Sequence, residues 1–131
     1  MAKAERRPRK RTTRTTRRRL PAEITLAVAA ALDKKAENVV VLDLRKGLAF
    51  TDFFVIATGT NVRQVQTIAD AIDEALRQKG ARPAFVEGYD RAEWVLVDYF
   101  DFIVHVFLPA TREFYGLERL WGDAERIEIP A

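Results

Sequence analysis

The stretch from Asp52 to Arg77, DFFVIATGTNVRQVQTIADAIDEALR, decides the fold class. Asp52 to Thr58 is short, β-branched and aromatic, the composition of a buried strand. Gly59-Thr60-Asn61 breaks it. Beyond the break, Val62, Val65, Ile68, Ala69, Ile72, Ala75 and Leu76 recur at three- and four-residue spacing, one unbroken apolar stripe on a helix. Asn61 or Thr60 can cap the first amides, and Gly80 fits the left-handed position beyond the last turn. A buried strand feeding a one-sided helix through a tight turn is the repeating unit of an α/β sheet.

Upstream, Pro21 suits a first helical turn, and Ile24, Ala27, Val28, Ala31, Leu32 and Lys35 predict a helix over 22–36. Asn38 to Leu44 (NVVVLDL) reads as a strand, and the Lys46-Gly47 turn makes it an antiparallel hairpin with 52–58. Downstream, Pro83 to Glu87 is a short strand expected parallel to 52–58 by a right-handed crossover. Trp94 to Tyr99 and Phe102 to Leu108 form a tight hairpin. A last helix is expected over 109–121, with Phe114, Leu117, Leu120 and Trp121 on one side. The sum is an α/β domain: a five-stranded mixed sheet with helices against it. No internal repeat interrupts it.

The chain's 131 residues, 48% hydrophobic and 31% charged, suit one domain and exclude wholesale disorder. The net charge of +3 conceals a split: residues 1–19 hold eight Arg and two Lys against one Glu, a net +9, which leaves −6 on residues 20–131. The basic segment has no apolar face to bury, so it is expected to be a disordered tail ahead of a domain at 20–131. Its Arg run, including Arg11, Arg14, Arg17, Arg18 and Arg19, is an electrostatic footprint for RNA phosphate. A solubilising arm and an Arg- and Thr-rich organellar transit peptide are the other readings. The absence of Cys excludes a disulfide framework, thiolate chemistry and zinc fingers, and it suits a reducing compartment. No apolar run approaches the ~20 residues of a membrane span.

Sites of chemistry are sparse. Thr58-Gly59-Thr60-Asn61 could hold an anion at a helix N-terminus, but an ordinary capped turn accounts for the same residues. Neither GxxxxGK[ST] nor GxGxxG occurs. The carboxylates near strand ends, Asp43, Asp52, Glu87, Asp98 and Asp101, lack the alternate-residue pair that a two-metal phosphoryl-transfer site needs. His105, the only histidine, shares a strand face with Ile103 and Phe107, and a buried or interface hydrogen-bonding role fits it. No catalytic, cofactor or metal residue is therefore expected. In the hairpin, Trp94, Leu96 and Asp98 point one way and Val95, Val97 and Tyr99 the other. Both faces are apolar, so either helices cover both or one is a docking surface.

Across many blocks the residues resemble one family. Phe50 to Thr60, Arg63-Gln64-Val65 with Ile68-Ala69-Asp70, Glu87-Gly88, Trp94 to Tyr99, Ile103 to Phe107 and Arg112 to Trp121 look like the ribosomal silencing factor S (Iojap-like) family, in register from about Ile24 to Ala124. The resemblance implies a nucleotidyltransferase-like fold without the catalytic carboxylates, and no enzymatic activity, cofactor or small-molecule substrate. It implies a cytoplasmic bacterial protein that docks on large-subunit ribosomal protein fourteen, blocks joining of the small subunit and represses translation. A large-subunit assembly factor and a small phosphate-binding nucleotidyltransferase are the alternatives. The docking surface maps onto Trp94, Leu96, Asp98 and Tyr99, with His105 beside them. A homodimer in the free state is a further implication. The basic tail lies outside the resemblance.

Overall fold

The computed structural model describes residues 20–47 and 49–130, so the expectations for the basic segment and its arginines lie outside the described residues. Helix α1 (Ala22–Asp33) buries Ile24, Ala27, Val28 and Ala31. It stops short of residue 36, where Lys35 enters the left-handed region at φ 67°. Strand β1 (Glu37–Asp43) leads into β2 (Phe53–Thr58), every residue of which is buried. Helix α2 (Val62–Arg77) turns Val65, Ile68, Ala69, Ile72 and Leu76 to the core. Its cap is as anticipated: the Asn61 side chain accepts the Gln64 amide at 2.8 Å. Then follow β3 (Phe85–Glu87), β4 (Trp94–Asp98), β5 (Phe102–Phe107), α3 (Pro109–Tyr115), α4 (Leu117–Leu120) and β6 (Glu125–Glu128).

The sheet is mixed and has six strands in the order β3-β4-β5-β2-β1-β6. The hairpins β1–β2 and β4–β5 are antiparallel as read from the sequence. Three expectations change. The sixth strand, Glu125–Glu128, pairs antiparallel with β1, although only Ile127 of its four residues is buried. The parallel neighbour of β2 is β5, not the segment 83–87, which forms β3 at the sheet edge against β4. The final helix is broken at Gly116, which sits at φ 55° and ends α3 with a left-handed residue.

That break decides which side chains are covered. Leu117 is buried and Trp121 half-buried against Phe54, with ring centroids 5.7 Å apart. Phe114 and Leu120, expected on the inward stripe, are instead 77% and 72% exposed. A continuous helix would have kept all four on one side. Two short segments cannot.

The sheet thus has unequal faces. One carries α1 and α2, held antiparallel where Gln64 Nε2 donates to the carbonyl oxygens of Lys34 and Lys35, both at 3.1 Å. Under these helices lie Val41, Val55, Val95, Val97, Val104 and Val106. The second face packs Val40, Leu42, Phe54 and Ile56 beneath Leu117 and Trp121. Helices α3 and α4, of seven and four residues, are too short to roof the rest of this face.

Candidate docking face

The uncovered half of the second face is built by β4 and β3. Strand alternation sends Val95 and Val97 into the helix-covered core and leaves Trp94, Leu96 and Asp98 half-buried on the other side. Register opposes Phe85 to Asp98 and Glu87 to Leu96, so β3 adds an exposed phenylalanine and a carboxylate to the same surface. From α3, Tyr115 packs on Trp94 with centroids 4.7 Å apart, and Phe114 meets Tyr115 edge-on at 5.0 Å. An apolar strip thus runs from Phe85 across Leu96 and Trp94 to Tyr115 and Phe114, rimmed by Glu87 and Asp98. Sequence reasoning missed Phe85, Phe114 and Tyr115, because their exposure depends on the edge position of β3 and the break at Gly116.

Backbone constraints fix the strip's centre. Gly88, at φ 80°, follows β3, and a Cβ there would run into the carbonyl oxygen of Trp94. Past the other end of β4, Phe100 stands exposed at φ 80°, a costly conformation for a bulky residue. The Asp98 carboxylate accepts the Phe100 amide at 2.7 Å and holds that turn.

Two residues anticipated as part of this surface are not exposed on it. Tyr99 turns to the helix-covered side, where it is buried and stacks on Phe102 at 4.9 Å. Burial, then the nearby Asp73 charge and hydrogen bond, hold its hydroxyl well above the usual tyrosine range. Strand alternation continued past the end of β4 puts it there. His105 is on the correct face but only 3% exposed, roofed by Trp94 and edge-on to Phe54 at 4.5 Å. It cannot itself present to a partner.

His105 instead serves Trp94. The indole Nε1–H donates to His105 Nδ1 at 3.0 Å. Because an indole nitrogen only donates, Nδ1 must carry the lone pair and the proton must sit on Nε2. That buried Nε2 has no hydrogen-bond partner, an omission that typically costs about 1–3 kcal/mol. Burial pushes the imidazole pKa down to about 3, so the ring is neutral throughout the physiological range.

The other candidate chemistry resolves into structural roles. At the Gly59 turn, Thr60 donates from its amide and hydroxyl to Gln64 Oε1 at 2.7 and 2.8 Å, which closes the cap on itself. Asp43 accepts from Arg45 at 2.7 Å, an interaction that holds its carboxyl below the usual range despite partial burial. Among the described residues no three His, Asp or Glu side chains converge as a metal-ligand set. A cleft of about 340 Å³ does open at the end of β2, lined by Asn38, Thr58, Arg112 and Glu113 among others. Its floor is an internal clamp: Arg112 donates to the Asn38 carbonyl, the Thr58 hydroxyl and Glu118, each at 2.7 Å.

Comparison with known proteins settles the family. Residues 17–131 match the model of the family described as "Ribosomal silencing factor during starvation". This chain belongs to the ribosomal silencing factor family. It is 43% identical to a ribosomal silencing factor of Halalkalibacterium halodurans over 81% of this chain and 91% of that one. A crystal structure of a Chromobacterium violaceum protein, 40% identical, superposes with a TM-score of 0.73 over 76% of this chain and 84% of that one. The mouse protein named mitochondrial assembly of ribosomal large subunit protein 1 is 29% identical over 76% of this chain and 45% of its own length. Membership ties the chain to ribosome-associated regulation. Among the described residues no helix is long and apolar enough to cross a membrane.

Proposed function

We propose that this protein docks on the large ribosomal subunit through large-subunit ribosomal protein fourteen and sterically excludes the small subunit. Translation is repressed without any catalytic step. The observation that carries this reading is the half-roofed sheet face: Trp94 and Leu96 lie half-buried at the centre of an apolar strip, with acids at its rim. Half-buried aromatics surrounded by lesser contacts are the composition of a binding hot spot. An interface of standard size, about 1,600 Å² in total, reaches nanomolar affinity when such anchors fill pockets. The net −6 of residues 20–131 suits a basic partner, and that charge match accelerates encounter more than it tightens binding. Exclusion needs no transferred group, and Asp43 and Asp98 are engaged by Arg45 and by the Phe100 amide. The reading places the protein in the bacterial cytoplasm, with a homodimer as its free state.

The test is co-sedimentation of the full chain with isolated large subunits, small subunits and joined ribosomes. Binding to large subunits alone, with inhibition of joining, is expected. Trp94→Ala, folded but no longer co-sedimenting, would place the anchor; normal binding by that variant would move docking off this face. A second reading, a factor in large-subunit assembly, is favoured by the mouse relative's name. Accumulation of immature large subunits when the protein is depleted, with joining unaffected, would select it.

A further inference from the structure

We propose that His105 is a positioning residue for docking: by accepting the Trp94 indole N–H, it fixes the orientation in which Trp94 meets its partner. The inference rests on the reading of Trp94 as the docking anchor.

Trp94 is packed mainly by contacts that tolerate rotation. Its ring lies tilted on Phe107 by 33° and on Tyr115 by 47°, and neither arrangement has the directionality of a hydrogen bond. The bond to His105 Nδ1, at 3.0 Å, is the directional contact. It spans the sheet diagonally, since Trp94 pairs in register with Phe107 and His105 with Leu96. Without it, the N–H of this half-buried ring would be left without its acceptor beside Phe107 or swing toward solvent. Either outcome changes which edge of the indole is offered.

The pocket gives an independent reason to assign His105 this role. Its Nε2–H is buried without an acceptor, so an apolar side chain would satisfy the site better on packing grounds alone. What the imidazole adds is the Nδ1 lone pair. Burial keeps the ring neutral, so that lone pair persists across physiological pH.

Two near-isosteric substitutions separate the roles. His105→Asn can place its Oδ1 where Nδ1 stands; His105→Leu has the same reach and no acceptor. If His105 were only core, Leu would serve at least as well as Asn in both folding and binding. Positioning predicts opposite orders. His105→Leu should be the more stable of the two, yet bind large subunits about tenfold more weakly than wild type, the scale of one lost hydrogen bond. His105→Asn should bind within about threefold of wild type. In ¹H–¹⁵N spectra of the full chain, the Trp94 indole cross-peak should move upfield in the Leu variant and return in the Asn variant. Combined with Trp94→Ala, either substitution should have no further effect on binding.

Equal binding by the Leu and Asn variants, or an undiminished Leu effect in the Trp94→Ala background, would overturn the positioning role. Should Trp94→Ala itself bind normally, the docking face is wrong and the positioning role falls with it. Loss of binding with Trp94→Ala but not with His105→Leu sinks the positioning role alone.

Discussion

A neutral histidine beneath a tryptophan leaves a signature in stability as well as in binding. With the folded pKa near 3 and the ordinary value 6.5, only the unfolded chain takes up the His105 proton between those limits. The depressed group therefore contributes stability above pH 6.5 that is lost as pH falls, at about 1.4 kcal/mol per unit. Denaturation from pH 7 to 4.5 should show this slope in the wild type and a shallower one in His105→Leu. A second prediction concerns Phe100, which is exposed and left-handed. Phe100→Gly should raise stability by about 0.5 kcal/mol, relief of strain outweighing the entropy of a new glycine. An unchanged or lower midpoint in urea would show that the ring contributes packing its exposure does not suggest. The sequence showed which face His105 occupies, because alternation along one strand suffices for that. It did not show the bond to Trp94, which depends on register between two strands. Alternation did set Tyr99 beside Val95 and Val97, the side it occupies, and only the family resemblance put it on the docking surface.

Among the elements, α2 and its cap were the most legible, because a long one-sided stripe and an Asn at its head have few alternative solutions. The break between α3 and α4 was not. Phe114, Leu117, Leu120 and Trp121 keep helical spacing through Gly116, and only the backbone's left-handed turn there separates them. The Arg112 clamp fastens that interrupted segment to the sheet. Arg112 and Glu118 are largely buried, and burial alone would raise the Glu118 carboxyl. The Arg112 hydrogen bonds and charge, with Arg126 nearby, outweigh that and hold it below the usual range. Removing one partner leaves the other without its counterion. Arg112→Met should destabilise the domain by about 3 kcal/mol, and adding Glu118→Gln should restore part of the loss. A double variant as unstable as the sum of the two single ones would mean the pair is not coupled.

At the scale of the molecule, fold class and family were legible from the sequence, whereas the sheet's extent was not. Segment 125–128, ERIE, is three-quarters charged and gives no strand signal of its own; it is a strand because β1 offers an edge for it to pair with. The basic segment poses a separate question. Deleting residues 1–19 removes a net +9 and no apolar face, so the domain should fold with little change in midpoint. If the segment touches RNA, the shortened chain should bind large subunits with a shallower slope of log affinity against log salt. Identical slopes would leave it a solubilising arm. The pairing of β6 with β1 has a consequence for the integrity of the chain itself. Val40 of β1 pairs with Glu128 of β6, so without residues 125–128 the flank of NVVVLDL is open. Such a stretch, with its hydrogen-bonding row unmet, is a template for aggregation. A chain ending at residue 122 should therefore form β-rich aggregates that bind thioflavin, while the intact chain at equal concentration stays clear. If the truncated chain remains monodisperse, β6 is not what guards that edge.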